Sequence, residues 1–334
     1  MNGSSGSIGR RGFVAGAGAA GLAAAVPSGL RAASTDAPLR LLTAPPGDAY
    51  YPIGIALATL VKIKLLDAFG TDIVADTSPG AQANPSLLKQ GKGDLAFTQH
   101  YTLATAGFAG REGLQTIATL WPTFDHVLID NALVQSGTLA DLASLKGRAA
   151  YFGKPGSAAY LTNTEILNAL SLDPEKDFDL FAGTYEEAAD ALLAGEIAAA
   201  SLPGAVPVKA VRTAFGKGAD RVRLLTINRE ERDRIDDDRG IWAPARLNAG
   251  TYNGQAVAVD SLRQPNVLVV RDGVPRKTVY RILDAIFSDV AFLHQIHPAT
   301  KDMTVTAAAA PTLLPFHPGA EEFYLDHGID VTDV

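Results

Sequence analysis

The sequence predicts an α/β protein of two lobes with a ligand cleft between them. Residues 39–99 alternate strand, loop, helix, strand, loop, helix, strand. In such a unit the loops follow the strand ends, and helix N-termini direct unpaired N–H groups into one crevice. Apolar runs at 127–134, 257–259 and 267–270 read as crossings out to a second lobe and back.

The elements follow in order. Leu39, Leu41 and Leu42 form a short strand that breaks at Thr43-Ala44-Pro45-Pro46-Gly47-Asp48, and a helix opens at Tyr50-Tyr51-Pro52 and runs to about Lys64. Ile73-Val74-Ala75 is a strand ended by Thr77-Ser78-Pro79-Gly80, and a helix from Ala81 stops at Gly91 before the strand Leu95-Ala96-Phe97. Residues 101–109 read as a small-residue helix and 116–120 as a strand ending at Trp121-Pro122. Beyond the first crossing, a strand at 148–152 leads through Gly153-Lys154-Pro155-Gly156-Ser157 into a helix over 158–170, with Ser157 placed to cap it. An amphipathic helix over 185–194, a strand at 197–202, a helix opened by Pro203-Gly204 and a strand at 222–227 follow. The charged run 229–239 reads as a solvated helix face, and 274–294 as one long amphipathic helix.

Composition bounds the function. The 334 residues are 47% hydrophobic and 19% charged, a globular balance with room for two ordinary domains. A net charge of −7 argues against nucleic acid, which needs a basic face. The chain has no cysteine, which excludes disulfides, thiol nucleophiles and cysteine metal sites together.

Residues 1–33 read as a twin-arginine export signal. Arg10-Arg11 precedes a weakly apolar stretch over 14–26, and a cleavage site falls near Leu30-Arg31-Ala32-Ala33. Gly16, Gly18 and Gly21 inside it satisfy G-x-G-x-x-G, but no buried strand precedes them, so a dinucleotide site is not expected. No later stretch approaches the 18 or so unbroken apolar residues of a membrane span.

Four motifs in register carry a family resemblance. Tyr50-Tyr51-Pro52-Ile53-Gly54 resembles the Y-x-I-G segment of the TAXI family of TRAP-transporter solute-binding subunits. Gly80, Asn84-Pro85-Ser86-Leu87-Leu88 and Gly91-Lys92-Gly93-Asp94-Leu95-Ala96 resemble its T-G-S-x-x-N-L…G-x-x-D-L-A stretch. Residues 142–147 with 153–157 are similar to its D-L-x-G-K…G-x-P-G-S-G, and Pro315-Phe316-His317-Pro318-Gly319-Ala320 with Tyr324 and Gly328 to its P-L-H-P-G-A…Y…G ending. The resemblance implies a two-lobed periplasmic binding protein type II fold, with lobe 1 at 34–126 and 256–334 and lobe 2 at 127–255. It implies a periplasmic monomer that captures a small carboxylate-bearing solute, an organic acid or amino acid, by hinge closure. A TRAP transporter membrane subunit would be its partner, with no cofactor and no metal.

Carried onto this sequence, the resemblance assigns ligand contacts to Tyr50, Tyr51, Ser78, Asn84, Gly156 and Ser157. Topology adds Gln99, Trp121, Pro203 and Gly204, with Gln99 as a side-chain donor and Ser157 holding a carboxylate with the neighbouring amides. Adjacent helical residues point about 100° apart, so one of Tyr50 and Tyr51 faces the cleft. Lys154 reads as solvent-facing, His317 as bonded to backbone, and His294 with His297 as a helical pair lacking the acid partner a metal site needs. There is no G-x-S-x-G elbow, Walker glycine loop or pair of carboxylates at strand ends, which argues against an enzyme. A periplasmic sensor using the same cleft is the alternative to transport.

Overall fold

The computed structural model describes residues 37–46, 48–105 and 113–332; residues 1–33, read above as an export signal, and the glycine motif within them lie outside the described residues. In chain order the strands are β1 (Leu39–Leu42), β2 (Ile73–Asp76), β3 (Leu95–Gln99), β4 (Leu114–Phe124), β5 (Val127–Asp130) and β6 (Ala149–Tyr151). They continue as β7 (Asp179–Leu180), β8 (Ala199–Ser201), β9 (Val222–Leu224), β10 (Ala243–Leu247) and β11 (Val259–Arg271). The helices that concern the cleft are α1 (Tyr50–Phe69), α2 (Asn84–Lys89), α3 (His100–Thr105) and α4 (Ala158–Ala169).

Two sheets form, and β10, which falls inside the 127–255 stretch expected as lobe 2, pairs into the first of them. The six-stranded sheet runs β10-β11-β3-β1-β2 with β4 also on β11, and the five-stranded sheet runs β7-β6-β8-β5-β9. Central strands such as β3, β5 and β8 are buried on both faces, which is why they are mostly apolar rather than alternating. In the first sheet Leu41, Phe97 and Leu268 enter one cluster with α1, while Leu42, Ala96 and Val267 enter another with α2. In the second, Ile129 and Ala199 face one cluster, and Leu128 and Ala200 the other.

Two chain passages join the lobes. β4 ends at Phe124, and Asp125-His126 lead directly into β5. The return lies between β9 and β10, and β11 reaches both sheets' surroundings: near its start Asp260 accepts the Ile227 N–H, and near its end Val270 pairs with Leu95.

Several elements differ from the sequence expectation. Val259 and the stretch 267–270 belong together in β11, which leaves 257 and 258 outside it, because a register shift beside Pro265 lets the strand continue through a residue with no N–H to donate. The helix over 274–294 is two, Arg276–Phe287 and Val290–Ile296, broken at Ser288-Asp289. The charged run is a helix (Arg229–Asp236), but Glu231 and Ile235 on it are buried. Glu231 caps its own helix at the Asn228 N–H (2.8 Å) and also accepts the Ala140 N–H (2.9 Å). His317 is tied to backbone as expected: its Nε2 lies 3.0 Å from Val274 O, and its Nδ1 accepts the Gly319 N–H.

Candidate functional site: the cleft between the sheets

A cavity of about 710 Å³ opens where the two sheets face each other. Its floor is one face of the first sheet. Antiparallel register places Gln99 of β3 opposite Asn266 of β11, and Gln264 opposite Thr123 of β4. Directly opposed residues share a face. Trp121, two residues before Thr123, is on it as well.

Tyr50 at the start of α1 closes this floor on one side. Its ring packs against Phe97 and Trp121 at centroid distances of 5.2 and 5.8 Å. Its hydroxyl donates to Asn266 Oδ1 at 2.6 Å. Asn266 Nδ2 donates in turn to Trp121 O (2.8 Å) and Thr123 Oγ1 (3.0 Å). Tyr50 therefore offers the cavity a ring rather than a hydroxyl. Burial holds that hydroxyl far above the ordinary tyrosine range, with Asp48 adding to the shift.

The second lobe contributes Tyr151 and Tyr185, packed edge to face at 6.0 Å. Tyr185 donates to Pro203 O at 3.0 Å, and burial pushes the Tyr151 hydroxyl up to about 12, helped by Glu187 and Glu186. Beside them begins α4. Gly153 holds φ +100° there, and a Cβ on it would sit 2.6 Å from the Tyr160 nitrogen, so only glycine lets the loop pass this close to the helix start. Ser157 Oγ accepts the Tyr160 N–H at 3.2 Å. Ala158 and Ala159, whose amides have no acceptor within the helix, both line the cavity.

Four charged side chains reach the cavity: Asp48, Lys154, Glu186 and Lys209. Lys209 pairs with Glu186 at 3.3 Å. Asp48 Oδ1 accepts the Tyr50 N–H at 2.8 Å; desolvation raises its carboxyl above the ordinary range against the lowering from that bond. Lys154 makes no ion pair among the described residues.

Of the residues nominated from sequence, Tyr50, Gln99, Trp121, Ser157, Pro203 and Gly204 line the cavity. Tyr51, Ser78, Asn84 and Gly156 do not, and each has a local reason. Tyr51 is the neighbour turned away on the helix. Ser78 Oγ donates to Thr43 O and accepts the Gly80 N–H, bracing its own loop. Asn84 is fully buried, and its Nδ2 binds Thr43 O (2.9 Å) and Phe97 O (2.7 Å), tying β1 to β3 beneath the floor. Gly156 is exposed at φ +80° in the turn before the cap. Gln99 lies where expected, but its Nε2 already donates to Thr123 Oγ1 at 3.4 Å. Lys154, read as solvent-facing, opens on the cavity as well.

Sequence reasoning missed Asp48, Tyr151, Tyr185, Gln264 and Asn266. The last two had a signal: two amides at i and i+2 flanking Pro265 just before the apolar run 267–270. His297 also lines the cavity, its Nδ1 accepting the Ala299 N–H, and burial lowers its pKa. Among the described residues no three His, Asp or Glu side chains gather as a metal site, and no helix is long and apolar enough to cross a membrane.

The fold has known counterparts. A binding protein component of an ABC phosphonate transporter from Pseudomonas aeruginosa superposes with a TM-score of 0.51 at 12% identity, covering 78% of each chain. XAC2383 from Xanthomonas citri, solved bound to ATP, gives 0.50 at 11% identity over 89% of this chain and 97% of its own. A TctC solute binding protein from Polaromonas gives 0.49 at 16% identity over 87% and 95%. At such identities the likeness is one of fold: the two-lobed periplasmic binding protein architecture. The sequence itself matches one family model over residues 41–328, most of its length, and the chain accordingly belongs to the NMT1-like family.

Proposed function

We propose that the chain is a periplasmic solute-binding protein that captures a small carboxylate-bearing solute, an organic acid or amino acid, and releases it unaltered. The observation that supports this most is the start of α4. Two amides without helical acceptors, the unpaired Lys154 and the Thr162 hydroxyl, buried without a partner one turn further on, meet at the cavity. A helix N-terminus favours an anion through its N–H groups and dipole, and a nearby ammonium adds to it. Tyr50 and Trp121 across the cleft supply a wall for the apolar body of the solute. Contacts from both lobes then favour closure in proportion to the difference in affinity between open and closed states. The lobes in this reading are 34–126 with 256–334, and 127–255, pivoting where β4 meets β5.

The motifs at Tyr50, Gly80, Gly153 and Pro315 support assignment to the TAXI branch, with a TRAP membrane subunit receiving the solute from a monomer. Arg10-Arg11 supports export by the twin-arginine route. A thermal-shift screen of the chain from residue 34 onward, against dicarboxylates, keto acids, amino acids and aromatic acids, tests the binding. A ligand of the native state gives a melting shift that grows with its concentration. If no carboxylate shifts the melt, or any bound compound is turned over, the reading is lost.

A further inference from the structure

The far side of the same cavity carries a second, chemically different demand. Gln264 is 1% exposed and lines the cavity. Its Oε1 accepts the Tyr101 N–H at 3.1 Å, which settles the amide orientation, because a backbone N–H must meet oxygen. Its Nε2 is consequently aimed away from Tyr101, and it is buried with no partner. Gln99 stands on the same sheet face, its Nε2 donating to Thr123 Oγ1 and its Oε1 buried with no partner. Asn266 between them is saturated, with both ends engaged by Tyr50, Trp121 and Thr123. The floor thus presents one open donor and one open acceptor. Buried amides are normally paired, so both atoms call for a partner.

We propose that this floor recognises an uncharged carboxamide at the end of the solute opposite its carboxylate, the solute carbonyl accepting from Gln264 Nε2 and its N–H donating to Gln99 Oε1. The inference rests on the function proposed above, which places the carboxylate at α4. A second carboxylate fits the floor poorly. It has no hydrogen to give Gln99 Oε1, and the lysines that reach the cavity, Lys154 and Lys209, belong to the second lobe. An ammonium fails in the opposite sense, having no lone pair for Gln264 Nε2. A methyl end would leave both amides unsatisfied.

Calorimetric titration with matched pairs tests this: succinate and succinamate, glutarate and glutaramate, adipate and adipamate, with butyrate, valerate and hexanoate as methyl-ended controls. In at least one length series the monoamide should bind about tenfold or more tightly than both its diacid and its methyl-ended control, the size expected when a buried donor or acceptor is left unmet. Gln264→Glu keeps an oxygen for the Tyr101 N–H but loses the unpartnered donor, and should abolish that preference. Gln99→Leu should do so by removing the acceptor, and it carries the comparison if Gln264→Glu fails to fold by circular dichroism. Equal or tighter binding of the diacids, or a preference that survives both substitutions, overturns the carboxamide assignment and leaves the α4 site standing. Binding of no carboxylate of any kind overturns the function itself, and this inference with it.

Discussion

Among the helices that begin at the cleft, α1 and α4 treat their first turns differently. At the start of α1 the protein supplies its own anion: Asp48 accepts the Tyr50 N–H. At the start of α4 the cap is the neutral Ser157, and the adjacent cation is Lys154. Both are helix starts lining one cavity, yet only the second is left wanting negative charge. In the function proposed above, α4 can take a solute carboxylate because its own chain supplies none there. The contrast extends to the seam between the lobes, where Asp125 is buried with no donor for either oxygen. Burial alone pushes it up to about 7, while the neighbouring His126 is pushed down to about 4 despite its contact with Phe124 O.

The largest expected effect lies at that seam. Asp125 binds its proton more tightly folded than unfolded, so its contribution is greatest below the unfolded value near 3.8 and is lost as pH rises towards 7. His126 runs the other way: its contribution is present above 6.5 and is lost as pH falls towards 4. Between those limits the two slopes oppose. Asp125→Asn should raise stability at pH 8 by roughly 4 kcal/mol. It should also uncover stability that climbs with pH from 4 to 6.5. Denaturant melts across pH check this, and a variant as flat as the parent would mean that neither group is held as the structure shows.

Next is Asn84, nominated as a ligand contact and found beneath the floor. Asn84→Ala should cost about 2–3 kcal/mol of stability, because two buried carbonyls lose their donor. Affinity measured on the folded variant should change little; a loss of binding larger than the loss of stability would return Asn84 to the site.

Ser157→Asp makes α4 resemble α1 directly. Aspartate caps as well as serine does, so the melt should hold. Carboxylate affinity should fall by about 2 kcal/mol through like-charge repulsion. Unchanged affinity in calorimetry would remove Ser157 and its helix start from the site. The smallest effect is the converse change, Asp48→Asn. Removing the built-in anion should tighten carboxylate binding by about 0.5 kcal/mol, more at low salt than at high salt. Weaker binding would show that Asp48 serves the ligand rather than the helix.

Much of this molecule was legible because its signals are local. Strand runs such as Leu39–Leu42 and Leu95–Gln99 and the Ser157 cap depend on residues within a turn or two of one another, whereas which of Tyr50 and Tyr51 faces the cavity did not show in the sequence. The nominated residues that fall outside the cavity are of a different kind. Asn84 sits in a motif that marks a binding loop, but whether its amide faces solute or two strand carbonyls depends on β1 and β3, 13 or more residues away. Gln264 and Asn266 were passed over because their strand is paired across the chain with Gln99 and Thr123.

The sequence by itself determined the α/β class, the two-lobed arrangement and the helix starts that end in a cleft, since these follow from hydrophobic period, glycine and proline placement, and capping residues. Only the tertiary structure decided which polar atoms are left open. Hydrogen-bond satisfaction is settled between strands far apart in the chain, and what remains unsatisfied after that pairing is what a ligand can use.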